Sequence, residues 1–90
     1  MRSTMMKSPL LLPPLLKRSR NLFAEHEVLT REESGVKRAT YGKVVERSYR
    51  LAHALQLEGI RLGDRVATLA WNHQRHLELY FAVPTVGAVL

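Results

Sequence analysis

Two histidines lie at a spacing that could place them around one metal ion. His73 and His76 are three positions apart on a predicted helix, and Glu78 and His53 are conceivable further ligands. Histidines in the first turn of a helix more often face solvent or bond to a neighbouring carbonyl oxygen, and the pattern supplies no assigned third ligand. We therefore predict that the chain holds no metal site.

The segment Trp71-Asn72-His73 is a second candidate site. It follows a predicted strand, and ligands of open α/β sheets bind beyond the carboxyl ends of strands. Asn72 is a suitable N-cap for the helix that follows, and Trp71 is of the type that fills a core or lines a cavity. Structural roles are therefore the favoured interpretation for both residues.

Nucleotide-binding loops and cysteine chemistry are both absent from the sequence. The five glycines do not approach the spacing of a Walker loop or of a dinucleotide-binding loop. The chain has no cysteine, which excludes disulfides, thiolate zinc sites and cysteine nucleophiles. We therefore predict no catalytic residue and no cofactor-binding residue among these 90 positions.

Positive charge is concentrated at the start of the chain. The net charge is +6, and no acidic residue precedes Asn21. The cations of this basic head are Arg2, Lys7, Lys17, Arg18 and Arg20. A small protein that binds nucleic acid or acidic lipid is therefore the alternative functional hypothesis. No aromatic residue is interleaved with these cations, so a solvated helix face is favoured and no nucleic-acid partner is predicted.

The apolar run within the basic head is too short for a membrane span. Residues 9–16 are broken by prolines and lack the small-residue cleavage site of a secretory signal. No stretch approaches the roughly 20 apolar residues that a transmembrane helix needs. We therefore expect residues 1–10 to be a basic flexible N-terminus of a soluble, cytoplasmic protein.

The first half of the chain predicts a helix and a hairpin. Pro13-Pro14 suits a helix entrance, and the apolar spacing that follows predicts a short amphipathic helix over residues 15–24. Two alternating runs, 27–31 and 36–40, are separated by a loop whose Gly35 suits a positive φ angle. These runs predict an antiparallel β-hairpin with one polar face.

A long helix over residues 41–58 is the most strongly supported element. Thr40 is a suitable N-cap, and Gly59 suits the left-handed position that ends a helix. Intervening charged residues, among them Arg47, are expected to face solvent. The apolar stripe that follows helical spacing comprises Tyr41, Val44, Val45, Ser48, Leu51, Ala52 and Leu55.

The last third of the chain predicts a strand, a helix and the start of a second strand. Residues 65–71 are nearly all apolar, as in a parallel strand covered on both faces. A helix over 73–83 follows and ends at Pro84, and Ala88-Val89-Leu90 has the character of another strand. Parallel strands are joined by such a crossover. We therefore predict an α/β fold and interpret the chain as the truncated start of a larger domain.

The helix that ends at Leu57-Glu58-Gly59 is followed by Gly63-Asp64-Arg65-Val66-Ala67-Thr68-Leu69. In their order and spacing, these residues resemble the opening of the AMP-forming acyl-CoA synthetases, members of the acyl-adenylate-forming superfamily. The later blocks Trp71-Asn72-His73 and Arg75-His76-Leu77-Glu78 are similar to the medium- and long-chain fatty-acid branch. The resemblance covers residues 11–90.

The resemblance implies that residues 11–90 are an incomplete part of the large N-terminal domain of an adenylate-forming enzyme. The implied parent uses ATP and Mg to convert a fatty acid into an acyl-adenylate, releases pyrophosphate and transfers the acyl group to CoA. Some members form dimers, so a homodimer is a candidate assembly of the parent. The family's phosphate loop, T-S-G-T-T-G-x-P-K-G, has no counterpart here, so we expect the chain alone to be inactive.

Overall fold

Three helices and a two-stranded sheet make up the computed structural model, which describes residues 4–90. Residues 1–3, including Arg2 of the basic head, lie outside the described residues. The mixture of helices and strands predicted from the sequence is confirmed. In chain order the elements are α1 (Pro13–Phe23), β1 (Glu27–Glu32), β2 (Gly35–Thr40), α2 (Tyr41–Leu57) and α3 (Gln74–Val86).

Helix α1 begins at the tandem prolines, where proline is tolerated because the first turn leaves its N–H groups unpaired. Leu16 is the buried residue of this helix, with 1% of its surface exposed, whereas its neighbour Leu15 is 52% exposed. The helix contacts both α2 and α3. A single leucine therefore supplies most of the apolar anchor of α1.

The hairpin has the predicted antiparallel arrangement. Glu27 lies opposite Thr40 and Glu32 opposite Gly35, which leaves a two-residue turn between the strands. Gly35 has a φ angle of +127°, a conformation that L side chains rarely adopt. Thr30 is buried against the helices, whereas Leu29 on the opposite face is exposed. The hairpin therefore covers the helices with one face only.

Helix α2 forms the centre of the core, as its apolar spacing predicts. The Thr40 side chain accepts a hydrogen bond from the Lys43 N–H at 3.2 Å and caps the first turn. At the other end, the Ile60 N–H donates to the Leu55 carbonyl, and Gly59 has a φ angle of +97°. The buried residues of this helix are Val44, Val45, Ser48 and Ala52.

Residues 65–71 do not form the predicted central strand. The β-pairing of this segment with the end of the chain is one parallel bridge between Arg65 and Val89, preceded by a hydrogen bond from the Gly63 N–H to the Gly87 carbonyl at 2.9 Å. The Val66 N–H donates to the Val89 carbonyl, and the Val89 N–H donates to the Asp64 carbonyl, both at 2.8 Å. A β-ladder needs a partner at each position, and in this segment the bridge supplies one at Arg65 alone. The parallel direction is confirmed, whereas the length of the strand was wrong.

Helix α3 differs from its predicted bounds at both ends. Its N-cap is His73, not Asn72, and the helix continues through Pro84 to Val86. Proline in the last turn removes one intrahelical hydrogen bond, and few further bonds are left to break. Gly87, with a φ angle of +87°, ends the helix instead. No helix among the described residues is long and apolar enough to cross a membrane.

The exposure of Trp71 predicts the fluorescence of the chain, which has no other tryptophan. Trp71 is 88% exposed. We expect the emission maximum of tryptophan in water and efficient quenching by acrylamide, because the indole ring has no apolar cover. An emission maximum at shorter wavelength with weak quenching, measured on monomeric protein, would contradict the structure at this position.

Candidate functional site

A buried carboxylate lies where α2, α3 and β1 meet. Glu78 of α3 is only 3% exposed. It accepts a hydrogen bond from Arg47 Nε on α2 at 2.7 Å and another from Gln74 Nε2 at 2.8 Å. The Gln74 backbone N–H in turn donates to the Thr30 hydroxyl of β1 at 3.1 Å. Three elements are therefore joined through one polar network in which each buried group has a partner.

The ion pair in this network gives Arg47, which was expected only to face solvent, a buried partner. Its side chain is 43% exposed and bonds the carboxylate of Glu78, which lies 31 positions later in the chain. The hydrogen bond from Arg47 to Glu78, with the charge of that carboxylate, raises the pKa of Arg47. Because its pKa is raised, the Arg47 guanidinium stays protonated at every pH below the ordinary pKa of arginine. Arginine protonation therefore does not limit this contact in ordinary buffers.

The two candidate metal-ligating histidines have separate structural roles. His73 Nδ1 accepts a hydrogen bond from the His76 backbone N–H at 3.1 Å and so caps α3. The Nε2 atom of His76 lies 3.1 Å from the Thr68 hydroxyl, and its ring packs against that of Tyr80 at a tilt of 31°, with centroids 4.9 Å apart. Among residues 4–90, no group of three or more histidine or acidic side chains is placed to hold a metal ion. Glu78, one of the two conceivable further ligands, is instead bonded to Arg47.

The expected strand edge does not assemble a ligand site around Trp71. The tryptophan is exposed in this chain, so it does not belong to the core that residues 4–90 form. Asn72 does not cap the helix and instead lines an open groove of about 280 Å³ together with His73 and Tyr80. His73 is the N-cap of α3 instead. Its imidazole Nδ1 accepts a hydrogen bond from the N–H three residues later, as a hydroxyl or carboxylate oxygen would.

A second, larger concave surface in the described part of the chain is basic. It has a volume of about 730 Å³ and lies between β2 and the first turns of α2 and α3. We call it the basic concavity. Its charged lining comprises Lys37, Arg38, Lys43, Arg47, Arg75 and one carboxylate, Glu32.

Comparison with known proteins identifies the family. The sequence profile of the AMP-binding enzymes matches residues 16–90. The chain belongs to the AMP-binding enzyme family. The resemblance inferred from the Gly63–Leu69 segment and the blocks that follow it is therefore confirmed.

The relatives of this family member include several acyl-CoA ligases. The long-chain-fatty-acid–CoA ligase of Thermus thermophilus is 52% identical over 89 residues, which cover 98% of this chain and 16% of that relative. The medium-chain-fatty-acid–CoA ligase of Ectopseudomonas oleovorans is 40% identical over 86 residues, which cover 94% of this chain and 16% of the relative. The 3-methylmercaptopropionyl-CoA ligase of Ruegeria pomeroyi is 36% identical over 87 residues, again 16% of its length. The chain thus spans about one sixth of the length of these relatives.

The polar network around Glu78 was not predicted from the sequence, although one feature of the sequence indicates a buried carboxylate. Glu78 lies four residues before the apolar Ala82, so both side chains share one face of α3, and the structure shows that this face is buried at Ala82. A carboxylate on a buried helix face requires a cationic or hydrogen-bonding partner. The sequence could therefore have indicated that a partner exists, but the partner itself is set by tertiary packing.

Proposed function

We propose that the chain is the N-terminal part of a fatty-acid–CoA ligase. The similarity to the long-chain ligase of Thermus thermophilus, 52% identity across nearly the whole chain, carries this proposal. In the proposed parent, ATP with Mg activates a fatty acid to an acyl-adenylate and releases pyrophosphate. The acyl group then passes to CoA. A cytoplasmic location, where ATP and CoA are available, and a homodimeric parent belong to the same proposal.

The role of this segment within the parent is to build scaffold. Residues 11–90 form part of the adenylate-forming domain, and the described residues 4–10 are a flexible extension. The Glu78 network fixes α2, α3 and the hairpin to one another. Leu69 and Trp71, which are exposed here, are proposed to pack against the remainder of the domain. A hydrophobic pair of this size would otherwise remain in contact with water.

A chimeric ligase tests the proposal. Residues 1–90 would replace the matching segment of the Thermus thermophilus enzyme, and acyl-CoA formation would be measured with fatty acids of several chain lengths. We expect ATP- and CoA-dependent product from the chimera, and no ATP–pyrophosphate exchange from the 90-residue chain alone, because the sequence has no phosphate loop.

A matched variant shows whether the segment itself is required. Val45 is 1% exposed, so Val45→Asp places an isolated carboxylate in the core and is expected to abolish soluble, active chimera. A chimera that is monodisperse and folded yet forms no acyl-CoA from any fatty acid would refute the proposed function. Exchange activity from the purified chain alone would refute the scaffold role.

A further inference from the structure

The basic concavity brings together cations from three separate elements. Lys37 and Arg38 come from β2, Lys43 and Arg47 from α2, and Arg75 from the first turn of α3. These side chains are spread over 39 positions of the sequence and meet only because the fold packs the hairpin beside both helix starts. None of them belongs to the basic head that the sequence first suggested as an anion-binding region.

Ion pairs neutralise this surface only in part. Arg38 bonds Glu27 at 2.8 Å, and Lys43 lies 3.4 Å from Glu46, a carboxylate that Arg50 also bonds. Lys37 and Arg75 form no ion pair among residues 4–90, and Glu32 is the sole acid in the lining. The surface therefore retains an excess of positive charge after each ion pair is counted.

Arg47 is held in a fixed orientation at this surface. Its Nε atom bonds the buried carboxylate of Glu78 at 2.7 Å. Its two terminal NH2 groups have no hydrogen-bond partner within the described residues. A guanidinium fixed through one nitrogen loses little entropy on binding, and its remaining donors suit the paired oxygens of a phosphate.

We propose that the basic concavity binds a compact, multiply charged phosphate group. Cations on three elements suit an anion with several charged oxygens better than a single carboxylate. The lining contains no phenylalanine, tyrosine or tryptophan, so it offers no platform on which nucleic-acid bases would stack. The phosphate group could belong to a free polyphosphate or to a lipid headgroup. The proposal does not depend on the reaction of the parent enzyme.

Nuclear magnetic resonance of the 90-residue chain tests this site. Inorganic tripolyphosphate would be titrated into 15N-labelled protein at constant ionic strength. We expect saturable shifts at the backbone amides of Lys43, Arg47 and Arg75 and little change in α1. Chemical shift changes at all exposed lysines and arginines, without saturation, would overturn the proposal. A spectrum without dispersed amide signals would also overturn it, because the site requires three packed elements.

Charge-reversal variants provide the matched comparison. Arg75→Glu and Lys37→Glu are each expected to weaken tripolyphosphate binding by about tenfold or more, as the loss of a charge-assisted contact does. Lys17→Glu, an equal change in net charge on the exposed face of α1, should leave binding nearly unchanged. An equal loss of tripolyphosphate affinity in all three variants would overturn the proposal, since it would show that binding depends on the net charge of the chain and not on this site.

Vesicle sedimentation separates the two sources of phosphate. Vesicles of phosphatidylcholine with phosphatidic acid would be compared with phosphatidylcholine alone, for the unmodified chain and for Arg75→Glu. Binding that requires phosphatidic acid and Arg75 would assign the site to a lipid headgroup. Tripolyphosphate binding without vesicle binding would assign it to a free polyphosphate. Binding to neither ligand would overturn the proposal.

Discussion

Leu16→Ala is expected to lower the free energy of unfolding by about 2–5 kcal/mol, the range found for leucine truncation in protein cores. Leu16 is the buried residue of α1 and is 1% exposed. Its removal takes away the transfer free energy of the side chain and leaves a cavity between α1 and α2. Since small domains have total stabilities of about 5–15 kcal/mol, this one change should remove a large share. Urea unfolding followed by circular dichroism would measure it.

The adjacent leucine provides the control for this experiment. Leu15 has the same side chain and the same helix but is 52% exposed. Leu15→Ala should change the free energy of unfolding by no more than about 0.5 kcal/mol, as is usual for surface positions. Equal losses for the two variants would show that the rotation of α1 about its axis differs from the structure.

Arg47→Glu is expected to destabilise the chain more than the reversal of any other charge on α2. The variant removes the cationic partner of a buried carboxylate and sets a second negative charge beside it. Arg50→Glu is the matched control, because Arg50 pairs with Glu46 at an exposed site where its side chain is 73% exposed. Surface pairs of that kind contribute about 0.2–1 kcal/mol. The midpoint of urea unfolding for both variants would be compared.

A double variant separates loss of charge from loss of packing. Arg47→Met combined with Glu78→Met should regain much of the stability lost in Arg47→Met alone, since apolar side chains of similar volume often replace a buried ion pair without cost. A midpoint for Arg47→Glu equal to that for Arg50→Glu would mean that the Glu78 carboxylate is solvated. If the double variant is no more stable than Arg47→Met, the loss of stability would instead come from packing of the aliphatic part of the Arg47 side chain.

Local signals in the sequence predicted the elements that depend on local interactions. Helix α2 was predicted with its N-cap and its terminal glycine because Thr40 and Gly59 act on backbone groups within a few residues of themselves. The hairpin was predicted for a similar reason, because alternation and a glycine at the turn define it without distant partners. The failed interpretations of residues 65–71 and of Arg47 depend on groups remote in sequence.

The segment 65–71 shows what a pattern of residues leaves undetermined. Its composition is that of a buried strand, but a strand exists only with a partner, and here the partner contributes a single bridge. The role of Arg47 could not be predicted from helical spacing either, because that spacing assigns a face and says nothing of a carboxylate 31 positions away. The N-cap of α3 was predicted at Asn72 because asparagine is a preferred N-cap residue. In the structure the N-cap is His73, whose side chain accepts a hydrogen bond from the His76 N–H.

The junction between the hairpin and α2 restricts where residues can be inserted or deleted. Strand β2 ends at Thr40 and α2 begins at Tyr41, whose N–H donates to the His26 carbonyl at 2.8 Å. The next N–H, that of Gly42, donates to the Ala24 carbonyl at 2.9 Å. An inserted residue here would break both bonds and rotate the apolar face of α2 by about 100°. Insertions and deletions among family members should therefore fall at the exposed turn of the hairpin and be excluded from this junction.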